Sequence, residues 1–305
     1  MRWISTDTWS DNLRAIAWLM ISSVVFVGLE LIGKQLIAEE GMSPFQVLWL
    51  RAIFTAVAIP IIIRRTPLAV VKTKHLGKQA WRSVLLATAS IAFFSSIAVV
   101  PLADAVAIVF VSPLFMTAIA FFFLKEVVGW RRWTGCVVGF VGVLLIVQPG
   151  LGARHWMYFL PLVDAALSAV YVILTRMVGK DDSAWTSLFY SIAASAVLFT
   201  VPVYFVWVDP TPMQWLLLLG ASSFGLIAHF CHIRAYSLGE SSLLAPLSYI
   251  HIVFTTGAAF VVFGTFPNPL ATGGIVMIVG AGLYILHRET VRRGRPRPVA
   301  KPGID

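Results

Sequence analysis

The chain has 305 residues, of which 59% are hydrophobic and only 12% charged, and its net charge is +9. A soluble globular domain carries about 25% charged residues, so these proportions exclude a water-soluble protein and call for a chain solvated largely by lipid. The basic residues are scattered over several short segments, which argues for membrane topology and against a nucleic-acid partner.

A helical span needs about 20 mostly apolar residues to cross a bilayer. Apolar windows predict ten of them, near residues 14–36, 46–63, 82–100, 102–124, 132–149, 156–176, 184–208, 213–235, 240–263 and 268–287. The first lacks a small-residue cleavage site and reads as a true span, not as a removed signal peptide. It carries Glu30 and Lys34, four residues apart and so on one helix face. Arg51 lies about a turn inside the second span. The third and fourth form a tight hairpin around Pro101, with Asp104 opening the fourth and Pro113 interrupting it. Gly135, Gly139 and Gly142 mark the fifth as a close-packing helix. The sixth holds Asp164 and Tyr171, and the seventh, from Ser183 to Val208, has no charged side chain. His229, His232 and Tyr236 follow at spacings of three and four on the eighth, which places them on one face. A short link at Leu238 and Gly239 leads to the ninth, with Pro246, Tyr249 and His251. After a turn at Gly264–Pro269, the tenth carries Gly273, Gly274, Gly280 and Gly282, again suited to close helix contact. Cys136 and Cys231 lie within spans at no metal-ligand spacing and read as small hydrophobes.

The pattern repeats. Ala98–Asp104, an apolar stretch with Pro113, then Gly135 and Gly142 correspond to Ala235–Ser241, an apolar stretch with Pro246, then Gly273 and Gly280. Five spans per half is an odd number, so the halves must be inverted relative to each other. The fold expected is an all-α integral membrane protein of ten transmembrane helices in two inverted five-helix repeats, at 14–149 and 156–287. All but three of the 23 basic residues, Lys34, Arg51 and Arg154, fall at one set of span ends. Because Lys and Arg concentrate on the cytoplasmic side, residues 1–13 and the basic tail 288–305 are both expected in the cytoplasm. The tail is also suited to touching anionic lipid.

Charged groups within spans are expensive and are functional candidates by default. Glu30 and Asp164 are carboxylates too short to reach the interface, which suits them to line a transport path or carry a coupling proton. Lys34 and Asp104 lie near span ends, where an interfacial anchor competes with a ligand role. Arg51 reads equally as a structural ion pair or a substrate ligand. His229 is placed to relay protons or to hydrogen-bond between helices, and His251 belongs with the same candidates. Tyr171 and Tyr249 are suited to stack on a substrate ring or simply to pack. Pro113 and Pro246 break helices of the kind that often line transporter sites. No metal-ligand set is evident.

These residues resemble a family. Leu50–Phe54, Pro101–Ile108 with Ser112 and Pro113, Leu124–Glu126 followed by Trp133–Val143, Ala235–Leu238, Ala245 with Pro246, and Gly282–Glu289 are similar to the bacterial ten-helix members of the drug/metabolite transporter superfamily, of the EamA type. The likeness covers about 14 to 289. One departure is that the acidic residue closing this segment is Glu126 in the first half, whereas the second has Gly264 and Thr265. The resemblance implies a non-enzymatic secondary transporter of the bacterial inner membrane. It would move a small polar metabolite, such as an amino acid, organic acid or vitamin, by alternating access with proton coupling or exchange, and without a cofactor. In such proteins the fifth and tenth helices lie at the periphery, which leaves a homo-oligomer open. A facilitative channel or a membrane-embedded enzyme are the alternatives. The chain has no P-loop, no Gly-x-Ser-x-Gly and no His-Glu-x-x-His, so an ion or exchange gradient must drive it. Substrate, direction, coupling ion and oligomeric state are not legible at this level.

Overall fold

The structure is a computed structural model that describes residues 6–63, 71–112, 114–115, 118–119, 130–148, 156–179, 181–239, 244 and 247–293. Among the described residues there are ten α-helices. They are α1 (Thr6–Lys34), α2 (Pro44–Ile63), α3 (Leu76–Ser96), α4 (Leu102–Val109), α5 (Trp130–Val147), α6 (Leu160–Val178), α7 (Ala184–Val206), α8 (Pro212–Leu238), α9 (Ile250–Phe263) and α10 (Pro269–Arg293). A π-helical turn, Gln35–Glu39, extends α1, and a 3-10 turn, Trp156–Phe159, leads into α6. The windows Leu13–Glu39, Pro44–Ile62, Trp156–Val178, Ala184–Val206 and Pro212–Leu238 are long and apolar enough to cross a bilayer on their own. Their outward faces are large apolar side chains, such as Ile61, Val201, Phe205 and Leu216, as a lipid solvent requires.

Local chemistry sets the helix ends. Ser183 caps α7 by accepting from the Thr186 amide. Thr211 and Gln214 form a reciprocal capping box at the start of α8, with Pro212 at the first position. α9 stops at Gly264, whose φ of 65° is open to glycine at little cost. Asn268 then accepts from the Ala271 amide to start α10.

Helix pairing follows the repeat. α2 packs on α7, α4 on α9 and α5 on α10, while α1 packs on α8 just as α6 packs on α3. Exchanging each helix of one half for its counterpart in the other leaves this set of pairs unchanged. That is the signature of two repeats related by a two-fold axis, and with five helices per half that axis must lie in the membrane plane and invert them.

Several sequence expectations change here. α3 starts at Leu76, six residues before the predicted span, so Arg82 is not a loop residue but a fully buried one. Its Nε donates to Gln79, its Nη1 to Thr175, and its Nη2 to the Ser187 carbonyl and the Ser191 hydroxyl. Gln79 in turn donates to Asp182 and Ser187. Helix also reaches back to Thr6 and out to Arg293, into both terminal segments expected outside the spans. The fourth and ninth spans are not continuous. α4 ends at a turn over Phe110 and Val111, and a turn at Tyr249 precedes α9. Pro113, Pro246 and Glu126 themselves lie outside the described residues.

The glycine expectation divides. A Cβ on Gly142 would lie 2.7 Å from the Gly274 carbonyl oxygen, and one on Gly274 would run into the Gly142 carbonyl, so α5 and α10 meet backbone to backbone. Gly139 likewise abuts Leu114, and Gly282 abuts Tyr249. Gly273 and Gly280 face open space instead, because they sit on a different side of α10 from the seam. We predict that Gly142→Leu lowers the thermal unfolding midpoint in detergent, whereas Gly280→Leu leaves it unchanged. Arg82→Met is expected to strand the hydrogen-bond partners of the guanidinium and destabilise the bundle by about 1–3 kcal/mol, measurable by the same unfolding assay.

Candidate functional site

Two polar clusters occupy the interior, and helical spacing assembles both. The first joins α1 to α9. His251 Nδ1 lies 3.0 Å from the Ser23 carbonyl oxygen, and its Nε2 lies 2.9 Å from Glu30 Oε1. The Thr255 hydroxyl, one turn beyond His251, donates to Glu30 Oε2 over 3.0 Å. Glu30 and His251 are both 8% exposed. A carbonyl oxygen only accepts, so the hydrogen-bond network assigns a hydrogen to Nδ1. Nε2 and the Glu30 carboxyl must then share one more proton, as an imidazolium–carboxylate pair or as a neutral imidazole facing a carboxylic acid. Both forms are neutral overall. Without that proton, one tautomer sets a nitrogen lone pair against the carboxylate and the other sets one against the Ser23 carbonyl, so one of the two ring hydrogen bonds is lost. Both ring hydrogen bonds are made at once only when one proton lies between the ring and the carboxyl.

Asp164 on α6 is 7% exposed, accepts a 2.7 Å hydrogen bond from Ser168 one turn on, and lies within Coulombic reach of Glu30. The interior thus holds a buried carboxyl group from each half. Phe110, at the break after α4, faces His251 at 5.8 Å and Tyr249 at 5.4 Å between ring centroids. The interrupted helices of the two halves meet at their breaks, beside the Glu30–His251 pair.

The second cluster surrounds a cavity of about 60 Å³, well below the roughly 300–1,000 Å³ of small-molecule pockets. α2 contributes Arg51 and Thr55, α3 Ser90, α6 Tyr171, α7 Ser191 and Ser195, and α8 Gly225 and His229. Both halves line it. The Arg51 guanidinium lies 5.2 Å from the Phe94 ring centroid, and Gly225 provides its room, since a Cβ there would come within 2.6 Å of Nη2. Tyr171 stacks under Arg82, whose guanidinium carbon is 5.1 Å from the ring centroid. Phe26 of α1 stands between the clusters, with ring centroids 4.9 Å from His229, 5.9 Å from His232 and 6.3 Å from His251.

The sequence candidates are thus sorted. Glu30 and His251 come into direct contact with Asp164 nearby, and Arg51, Tyr171 and His229 share the cavity. Lys34 stands apart. Its Nζ donates to the carbonyls of Ile97 and Val100 at 3.1 and 3.2 Å, so it ties the end of α1 to the turn after α3. Asp104, buried in the first turn of α4, accepts from the Tyr158 hydroxyl. Tyr249 packs against Gly282 of α10 rather than in the cavity. Among the described residues no three His, Cys, Asp or Glu side chains are placed to hold a metal ion. Sequence reading passed over Phe26, Thr255 and Ser168. Each lies four residues from a candidate, at Glu30, His251 and Asp164 respectively, so same-face spacing was the available signal.

Comparison with known proteins agrees with this architecture. The chain is similar to the S-adenosylmethionine uptake transporter of Rickettsia prowazekii (strain Madrid E), 27% identical over 93% of this chain and 96% of that protein. It is also similar to the riboflavin transporter of Rhizobium johnstonii, 24% identical over 92% of this chain and 93% of that one. A solved crystal structure superposes with a TM-score of 0.62 at 19% identity, covering 90% of this chain and 97% of its own, which shows a common fold. The EamA-like transporter family model matches residues 13–148 and again residues 155–286, so that nearly the whole described bundle is two copies of one unit. The chain belongs to the EamA-like transporter family.

Proposed function

We propose that this transporter of small metabolites is a proton-coupled secondary carrier working by alternating access. It would sit in the inner membrane of a bacterium, with both termini in the cytoplasm. The observation that carries this reading is the Glu30–His251 pair. Its hydrogen bonds to the Ser23 carbonyl and the Thr255 hydroxyl suit it to carry a single exchangeable proton. It bridges α1 and α9, so any rocking of one half against the other changes the surroundings of that proton. Asp164, in Coulombic reach of Glu30, gives the second half a voice in when the proton leaves. The topology rests on the gathering of basic residues at one set of helix ends. The repeats at 14–149 and 156–287 would be the two rocking units.

The cargo is a small polar metabolite, such as an amino acid, organic acid or vitamin. S-adenosylmethionine and riboflavin, the substrates named for the two relatives, are the first to try. Lys34 and Tyr249 would serve as hinge and packing elements rather than ligands, because both are committed to backbone or glycine contacts. Pro113 and Pro246 remain candidates for helix-breaking positions on sequence grounds, since proline has no backbone N–H to donate.

The test is uptake and counterflow in proteoliposomes across a substrate panel, with and without an imposed pH gradient. Accumulation should follow the gradient and reverse with it. Glu30→Gln mimics a permanently protonated carboxyl, so it should lose gradient-driven accumulation by about tenfold or more while substrate exchange survives. Asp164→Asn should impair transport without loss of membrane insertion. Exchange in the wild type that ignores the gradient would make the protein an exchanger, and normal accumulation by both variants would leave these carboxylates structural.

A further inference from the structure

The Arg51 guanidinium is charged at every physiological pH, and among the described residues it has no counterion. Its Nε is buried without an acceptor, and no carboxylate among the described residues pairs with it. Thr55, its nearest hydroxyl along the helix, spends its proton on the Arg51 carbonyl. The Phe94 face offers a cation–π contact, which offsets only part of the cost of burying a charge. Arg82, against the Tyr171 ring, shows what full satisfaction looks like in this bundle: Gln79, Thr175, Ser187 and Ser191 accept from every part of its fork. Arg51 has been given space by Gly225 instead of partners.

A second donor waits in the same cavity. The Tyr171 hydroxyl is buried and without a hydrogen-bond partner, in a residue only 4% exposed. The serines on the facing wall do not compete as donors, because Ser191 and Ser195 give their protons to helix carbonyls one turn back. These two buried, unpaired donors, one of them cationic, beside the Ser90 hydroxyl and the His229 ring that line the same space, suit an acceptor-only anion with two oxygens. The cavity is lined by both halves, where a carried molecule must pass.

We propose that Arg51, assisted by the Tyr171 hydroxyl, recognises a carboxylate on the transported molecule, so that the substrate class is carboxylated metabolites. This rests on the carrier reading above and narrows its cargo. An inorganic anion such as chloride presents some of the same chemistry, and the experiment separates the two.

The test uses the purified full-length protein in detergent. Binding is read from the thermal unfolding midpoint and tryptophan fluorescence against matched pairs: methionine with methioninol, tryptophan with tryptamine, and S-adenosylmethionine with its decarboxylated form. Sodium chloride against sodium gluconate is run in parallel. The expected result is that at least one carboxylate binds about tenfold or more tightly than its decarboxylated partner. Arg51→Gln abolishes that ratio and Arg51→Lys retains part of it. Tyr171→Phe keeps the ring under Arg82 and should weaken the carboxylate member about threefold or more, so the assignment stays testable if Arg51→Gln does not fold. Equal binding within every pair, a wild type indifferent to all of them, or a carboxylate preference that survives in Arg51→Gln each overturns it. So does an Arg51-dependent response to chloride that no carboxylate displaces. Proteoliposome flux of the same compounds keeps the two readings apart. Transport without a carboxylate preference removes this assignment and leaves the carrier. Arg51-dependent carboxylate binding without gradient-driven flux removes the proton-coupled carrier and leaves the site.

Discussion

Lipid offers no hydrogen bond to a polar atom, and the interior of this protein is organised by that constraint. Charged and polar side chains within the bundle have been drawn into shared networks: Arg82 with Gln79, Thr175, Ser187 and Ser191; Lys34 with two carbonyls; Glu30 with His251 and Thr255. The outer surface is left to valine, isoleucine, leucine and aromatic side chains. A buried polar group that remains open against such a background stands out, which is why Arg51 and Tyr171 carry more meaning here than they would in a soluble protein.

The networks also divide by position along the helices. The Arg82 cluster ties the start of α3 to the end of α6 and the start of α7, and Thr73 and His75, just before α3, reach Asp182 and Asp181 beyond α6. At the other membrane face, Lys34 ties α1 to the turn after α3, Gln46 exchanges hydrogen bonds with the Val208 backbone, and Gln214 donates to Glu40. Between these two belts lie the Glu30–His251 pair and the small cavity, with Phe26 separating them. Polar contacts at both ends and a contracted space in the middle are what a carrier needs in order to be closed on each side in turn. The α5–α10 seam, held by Gly142 and Gly274 through backbone contact, lies apart from this middle zone.

Much of the fold was legible in the chain. Apolar windows gave ten spans because a lipid-facing helix must be apolar over its whole length. The odd number per half required inversion, and the structure pairs the helices accordingly. The exact reach of α3 was not legible: the apolar window opens only at Arg82, yet packing on α6 and α7 supplies Arg82 with partners that make its burial tolerable. The same limit explains the glycines. Spacing placed Gly142, Gly274, Gly273 and Gly280 alike on close-packing helices, but only the two that share the seam touch anything.

For the site, sequence determined which residues were out of place in lipid: Glu30, Asp164, Arg51, His229 and His251 were all conspicuous as polar groups within apolar spans. It also determined their near neighbours, since Thr255 and Ser168 follow at the spacing of one helical turn. What only tertiary structure decided is who meets whom. Glu30 and His251 are separated by 221 positions in the chain, and Arg51 and Tyr171 come from different halves. Hydrogen bonds of this kind depend on how α1 packs on α9, and on how α2, α3, α6, α7 and α8 close around one space. No local pattern encodes those distances, because they are fixed by the summed packing of whole helices.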